Sequence, residues 1–126
     1  MSDDSRPVNL SLWRFHFPIT AVVSILHRIS GLALFGLLLP MIYLVHLGSQ
    51  SESGFERMLG YADMPLARLG LAVFLSSLVY HALAGLRHLV MDLGFWEHLD
   101  SGRRSAWAVV IVAVAAAGFF FGRLLL

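Results

Sequence analysis

Cysteine and lysine are both absent from this chain of 126 residues. Without cysteine, the chain can form no disulfide and can offer no thiolate to zinc or to an iron–sulfur cluster. A metal ion bound by this chain must therefore use histidine or carboxylate ligands. All nine basic residues are arginine and the formal net charge is only +1, so the charge gives no basis for nucleic-acid binding.

Charged residues are scarce, at 13% of the chain, whereas hydrophobic residues make up 58%. Soluble domains contain about 45–50% apolar residues. Three stretches, residues 29–51, 69–86 and 105–122, contain no aspartate, glutamate, lysine or arginine. At about 1.5 Å per residue, helices of these lengths cover most or all of a hydrocarbon core roughly 30 Å thick. The sequence therefore predicts an all-α integral membrane protein with three transmembrane helices.

We expect one transmembrane domain over residues 1–126, with helices at about 19–48, 65–91 and 104–125 and an interfacial N-terminal segment at 1–18. Pro18 suits the start of the first helix, because proline is favoured in a first helical turn. Residues 49–65 and 92–105 are rich in serine, glycine and charged side chains, as is typical of aqueous connections.

The distribution of arginine predicts the orientation in the membrane. Six of the nine arginines lie beside the helix ends on one side of the membrane: Arg6, Arg14, Arg28, Arg87, Arg103 and Arg104. The other three lie beside the helix ends on the opposite side. Because cytoplasmic loops carry an excess of basic residues, we expect a cytoplasmic N-terminus and a periplasmic C-terminus. The first residues resemble neither a secretory signal nor a transit peptide. A bacterial inner-membrane protein is the favoured interpretation, although a processed organellar protein would look the same.

The first helix carries polar residues where lipid makes them costly. Ser24, His27, Arg28 and Gly31 are spaced by three and four residues, which places them on one stripe of the helix. Ionisable residues within membrane spans are candidates for function. The stripe is therefore predicted to face protein or a ligand. Alternatively, Arg28 only extends to the headgroups and His27 lies at the interface.

The second helix carries a similar stripe of His81, Gly85, His88 and Asp92. His81 lies several residues inside the span. It could be an axial ligand of haem iron, with Gly85 leaving room for a flat macrocycle or another helix. Equally, His81 could form an interhelical hydrogen bond, with Gly85 serving close helix packing. His88 and Asp92 are expected to form an interfacial pair, and His46 is expected near the opposite membrane boundary.

Three segments of the chain carry a resemblance to a known family. Residues 6–10 read RPVNL, residues 17–31 read FPITAVVSILHRISG, and residues 80–92 read YHALAGLRHLVMD. In this order and spacing they resemble the cytochrome b556 subunits of succinate dehydrogenase. The patterns SxxHRxSG and HxxxGxRHxxxD are specific in combination, whereas three hydrophobic helices alone are common.

The resemblance implies a membrane anchor that, with a second hydrophobic anchor subunit, forms a heterodimeric haem-binding helical bundle. Such an anchor docks a flavoprotein subunit and an iron–sulfur subunit on the cytoplasmic face. By the same resemblance, His81 is one axial ligand of a haem b, and the partner anchor supplies the other. His27 and Arg28 would lie near the haem propionates. Ser24 and Arg28 would help to bind ubiquinone.

Three hypotheses for the function follow. The first is the anchor subunit of succinate dehydrogenase, which helps to pass electrons from succinate oxidation to ubiquinone. The second is the anchor of a related quinol:fumarate reductase, which would use a similar architecture in the reverse direction. The third is a small non-redox membrane protein, such as a transporter component, whose histidines and arginine mark a proton or ion path.

Overall fold

The computed structural model describes residues 17–126, which fold entirely into helices and their connections. The helices are α1 (Ile19–Gln50), α2 (Glu52–Ala62), α3 (Pro65–Asp92) and α4 (Leu99–Leu125). Of these, α1, α3 and α4 are long and apolar enough to cross a membrane. The predicted fold class is thus confirmed. Of the expected interfacial segment, residues 1–16 lie outside the described part.

Helix α2 lies within residues 49–65, where the sequence indicates only an aqueous connection. Its first turn is capped by Ser51, whose Oγ accepts a hydrogen bond from the backbone N–H of Gly54 at 3.0 Å. Glu52 in the first turn complements the positive end of the helix dipole. The serines and glycines that indicate a loop therefore serve as a cap and as a point of close packing.

Helix α4 begins at Leu99, several residues before the expected start near residue 104. Its first turn is closed by a hydrogen bond from the N–H of Gly102 to the carbonyl of His98, at 2.8 Å. These turns contain an aspartate and two arginines, and they precede the apolar run from which the span is predicted. The helix is therefore longer than its hydrophobic part.

Helix α3 lies at the centre and packs against both α1 and α4, which also contact each other, while α2 packs on the end of α1. The buried cluster between these three helices is made of small side chains: Val23, Ala84, Ala106 and Val109. Small residues let membrane helices approach closely. Most large apolar side chains of the spans are exposed on the isolated chain, as expected for surfaces that face lipid or other subunits.

Two polar side chains of α3 connect it to its neighbours. The hydroxyl of Tyr80 donates to the backbone carbonyl of Val23 on α1 at 2.9 Å. On the other side, the guanidinium of Arg87 donates to the Oγ of Ser105 at 3.0 Å and to the carbonyl of Gly102 at 3.2 Å. The sequence predicts Arg87 only as a boundary charge, but its side chain is buried, with 3% of the residue exposed. It holds α3 to α4.

The packing at the corner between α1 and α2 predicts that alanine has opposite effects on stability at Gly54 and at Gly60 of α2. A Cβ at Gly54 would collide with the backbone carbonyl oxygen of Leu47, which cannot rotate away, whereas a Cβ at Gly60 meets nothing within 4 Å. We expect Gly54→Ala to lower the free energy of unfolding by about 1–3 kcal/mol. Gly60→Ala should raise it by about 0.5–1 kcal/mol. Denaturant unfolding of the purified protein in detergent, followed by circular dichroism, measures both. Equal effects of the two substitutions would contradict the packing described for this corner.

Candidate functional site

The two polar stripes predicted on separate helices face each other. His27, near the start of α1, stacks on His81 of α3 with ring centroids 4.1 Å apart and an angle of 16° between the rings. The ring of His88, two turns further along α3, lies 5.3 Å from His27 at an angle of 58°. Because the start of α1 meets the end of α3, the two helices run antiparallel. Three histidines from two spans thus form one cluster.

Each of the two stacked histidines lies over a glycine of the opposite helix. A Cβ on Gly31 of α1 would lie 3.1 Å from the Cε1 atom of His81, and a Cβ on Gly85 of α3 would lie 3.3 Å from the Nε2 atom of His27. A side chain at either position would press on an imidazole ring. Each glycine of the two sequence motifs therefore leaves the space that an imidazole ring of the other helix occupies. Gly85 admits a side chain of another helix, which is one of the two roles that its sequence context allows.

Hydrogen bonds at one nitrogen of His81 determine the state of its ring. The Nδ1 atom lies 3.1 Å from the carbonyl oxygen of His27 and 3.1 Å from the Oγ of Ser30. Ser30 already donates its own proton to the carbonyl of His27, at 2.7 Å, so its oxygen is free to accept. A carbonyl can only accept, so both contacts assign the proton to Nδ1 of His81. The lone pair is then on Nε2.

The free lone pair on Nε2 of His81 is available to a ligand. Within residues 17–126 this atom has no hydrogen-bond partner, and it is not among the atoms sealed from the surface. Histidines that bind metals usually donate their other ring N–H to a carbonyl or carboxylate, which fixes the orientation of the ring. His81 has this arrangement. The interhelical hydrogen bond and the ligand role, which were alternatives in the sequence, are thus compatible in the structure.

The neighbouring histidine has an unsatisfied nitrogen. Nε2 of His27 is buried and has no hydrogen-bond partner among the described residues. A buried polar atom without a partner costs about 1–3 kcal/mol. Such an atom in a native structure indicates a missing partner, such as a water or a ligand. Among residues 17–126, the hydrogen bonds of the histidine cluster are therefore incomplete.

The structure leaves the other predicted site residues outside the hydrogen-bonded cluster. Ser24 is half-buried and Arg28 is exposed, and within the described part of the chain neither side chain has a hydrogen bond or an ion pair. Both lie beside His27 on its stripe of α1. His88 and Asp92, which were expected to pair, form no hydrogen bond with each other in the described structure. At the far end of α1, His46 is exposed, and its ring lies 2.8 Å from the side-chain amide of Gln50.

Ser30 and Tyr80 belong to the site although the sequence assigns them no role. Ser30 is buried and supports the ring of His81. Tyr80 fixes the register of α3 against α1, one residue before His81. Their spacing offers a signal in hindsight, because Ser30 follows His27 by three residues and so shares its face.

Comparison with known proteins assigns the family. The family model described as the succinate dehydrogenase/fumarate reductase transmembrane subunit matches residues 2–120. The chain belongs to this family. It is thus a transmembrane subunit of the succinate dehydrogenase and fumarate reductase type, and the resemblance stated from the sequence motifs is confirmed. Membership gives no support to a non-redox transporter component.

Individual members of the family align over most of this subunit. The succinate dehydrogenase cytochrome b556 subunit of Coxiella burnetii is 44% identical over 114 residues, which cover 88% of this chain and 90% of that protein. The subunit of the same name in Paracoccus denitrificans is 30% identical over 117 residues, or 90% of this chain and 87% of that protein. The mitochondrial succinate dehydrogenase cytochrome b560 subunit of Mus musculus is 29% identical, covering 93% of this chain and 70% of that protein.

The reciprocal packing of histidine on glycine predicts the effect of a bulky residue on α3. Gly85→Leu should displace the ring of His27 and separate α1 from α3, lowering the thermal unfolding midpoint by several degrees. Gly70→Leu is the matched control on the same helix, since a Cβ there meets nothing within 4 Å. Thermal unfolding of the protein extracted with its co-purifying subunits measures the difference. A loss of stability as large in Gly70→Leu as in Gly85→Leu would count against the arrangement.

Proposed function

We propose that this chain is the membrane-anchor subunit of a bacterial succinate dehydrogenase, which holds a haem b and helps to form the site where ubiquinone is reduced. The observation that carries the proposal is the state of His81. Its Nδ1 is fixed by the backbone of α1, and its Nε2 lone pair is free. The family and the names of its members support the same conclusion.

The residues present fit a haem. His81 would bind the iron through Nε2, the exposed guanidinium of Arg28 could donate to a propionate oxygen, and His27 would lie beside them. When bound, a haem with two axial ligands can take up and release one electron. The protein's part is to fix the ring of His81, to supply donors for the propionates and to keep the site away from water.

The second axial ligand is proposed to come from a second hydrophobic anchor subunit. Two histidines that held one haem iron between them would have to stand apart from each other. His27 and His81 instead lie against each other, with ring centroids 4.1 Å apart and nearly parallel planes. In this arrangement the two rings would not hold one iron between them. His46 lies near the other end of α1, so it offers no alternative.

Ser24 and Arg28 are proposed to line the ubiquinone site. Their positions four residues apart place both side chains on one face of α1, and neither is engaged by other described residues. A serine hydroxyl can donate to a quinone carbonyl, and a guanidinium can stabilise the negative charge that develops during reduction. The adjacent cluster of histidines would place this site close to the haem.

The proposal also includes the partner subunits, the membrane in which the complex lies and the direction of the reaction. A flavoprotein subunit would oxidise succinate, and an iron–sulfur subunit would carry the electrons to the quinone at the cytoplasmic face of the bacterial inner membrane. This chain has no cysteine with which to hold such clusters itself. The family also includes fumarate reductase subunits. We favour succinate oxidation because the similar proteins are named as succinate dehydrogenase subunits.

The proposed orientation can be tested by reporter fusions. Six of the nine arginines lie at the helix ends assigned to the cytoplasm. A phosphatase that is active only in the periplasm should therefore work when fused after Leu126 and should fail when inserted between α3 and α4. The reverse pattern would overturn the orientation.

Substitutions at the proposed quinone site should separate two activities of the complex. We expect Ser24→Ala and Arg28→Leu each to lower succinate-dependent reduction of ubiquinone by at least about tenfold. The first removes a neutral hydrogen-bond donor from the reacting quinone, and the second removes a charged one. Reduction of a soluble acceptor by the catalytic subunits should change little. Arg123→Leu, an exposed arginine at the other end of the chain, is the control and should leave both rates near wild type. Equal loss of both activities in the Ser24 and Arg28 variants would indicate failed assembly and would remove the support for this site.

Substitution of His81 should change the optical spectrum of the haem. We expect His81→Leu to remove or alter the b-type absorbance bands, because it deletes the proposed iron ligand. His27→Leu should keep the electron paramagnetic resonance signature of two histidine ligands, since His27 is proposed to lie near the propionates and not to bind the iron. His46→Leu, at the far end of α1, is the control for a general effect of losing a histidine. A wild-type spectrum in His81→Leu together with loss of the signature in His27→Leu would assign the iron to helix α1 instead.

A further inference from the structure

A second site lies on the side of α3 that faces α4. It is a groove of about 800 Å³ between the last turns of α3, the connection at residues 93–98 and the first turns of α4. No residue of α1 lines it, so it is separate from the histidine cluster. Its polar end includes Arg87 and Arg104, and its walls toward the membrane interior are apolar, with Leu83 from α3 and Val112 from α4.

Within residues 17–126, no acidic side chain balances the charge of Arg87. Its guanidinium donates only to neutral acceptors, the Oγ of Ser105 and the carbonyl of Gly102. A guanidinium has five N–H donors, and the two bonds described use two of them. No carboxylate lies within 4 Å of it anywhere in residues 17–126. A buried cation without an anion is costly, and this one is 97% buried where it lines the groove.

A second cation stands at the same end of the groove. Arg104 is exposed, and like Arg87 it has no ion pair within the described residues. Asp100 lines the groove one turn before Arg104 in α4 but lies more than 4 Å from both guanidinium groups. The polar end therefore presents two unpaired positive charges and one separate carboxylate.

The connection at this end of the groove is held in an unusual conformation. Trp96, which lines the groove, has a φ of 61°, the left-handed region that a bulky residue rarely adopts. Its carbonyl oxygen lies 3.0 Å from where a Cβ of Gly102 would be. Gly102 thus admits the connection, and Trp96 is placed at the edge of the groove. Strained residues of this kind often occur at sites that bind a ligand.

We infer that the groove binds a phospholipid with a net negative headgroup. Its phosphate would accept from the free donors of Arg87 and from Arg104, and an acyl chain would lie between the apolar walls formed by α3 and α4. Basic pockets between transmembrane helices at the cytoplasmic side are suited to anionic headgroups. Trp96 at the edge of the groove suits the boundary between lipid and water.

The two ends of the groove favour this occupant over others. A soluble anion would use the arginines but would leave the apolar walls exposed. A neutral apolar molecule would fill the walls but would leave the charge of Arg87 unbalanced. A phospholipid satisfies both and is present at high concentration where the groove opens. A segment of a partner subunit that brings a carboxylate is the remaining rival, and the experiment distinguishes it.

The test uses the complete complex as it is purified from membranes. The complex is placed in nanodiscs containing equal parts of phosphatidylglycerol and phosphatidylcholine, returned to mild detergent and examined by native mass spectrometry. We expect the wild-type complex to retain phosphatidylglycerol in preference to phosphatidylcholine. Arg104→Gln should lower this retention about tenfold, as expected for loss of one charge-assisted contact. Arg103→Gln is the matched control, because Arg103 is a neighbouring exposed arginine that does not line the groove.

Two further variants distinguish lipid binding in the groove from a general attraction of anionic lipid to positive charge. Ala108→Trp fills the groove without removing an arginine and should also abolish the retained lipid. A photo-crosslinking residue at Val112 should attach to a lipid. Equal retention of the two lipids by the wild type, or equal losses in Arg103→Gln and Arg104→Gln, would overturn the inference. Attachment of the crosslinker to a partner subunit would also overturn it, because the groove would then be a protein interface.

Discussion

The structure depends on the need to satisfy polar groups where no water is present. Three polar side chains of α3 each donate a hydrogen bond to a backbone carbonyl of a neighbouring helix: His81 to His27, Tyr80 to Val23, and Arg87 to Gly102. The central helix is thereby fixed in register against α1 on one side and α4 on the other. The apolar residues around these contacts are mostly small and only bring the backbones close enough for them to form.

The same constraint produces the functional site. Once Nδ1 of His81 is committed to the backbone of α1, the ring cannot turn, and the lone pair of its second nitrogen stays free. Gly31 and Gly85 make the approach of the two helices possible, because each leaves the space that the opposite imidazole occupies. The same few atoms therefore hold α1 against α3 and leave Nε2 of His81 available to bind a metal. The unsatisfied Nε2 of His27 and the many exposed apolar side chains are consistent with a chain completed by other subunits.

The sequence predicts the three spans because their lack of charge is a strong signal over many residues. It also predicts the two stripes of α1 and α3, since helical spacing alone places their residues on one face. It misses α2, whose serine and glycine residues are typical of turns, and it starts α4 too late, because the first turns of that helix are charged. The burial of Arg87 could not be predicted either. An arginine at the end of an apolar run looks the same whether it extends to the headgroups or crosses to a neighbouring helix. The stacking of His27 on His81 is likewise a property of two helices together.

The central claim is that the backbone of α1 holds His81 so that its Nε2 binds haem iron. A cryo-electron microscopy map of the purified complex, at a resolution that shows side chains, tests it most directly. The account predicts density for a haem whose iron lies on Nε2 of His81, with Nδ1 still directed at the carbonyl of His27 and the opposite ligand supplied by another subunit. A haem bound through His27, or a His81 ring turned away from α1 with no haem beside it, would contradict the account.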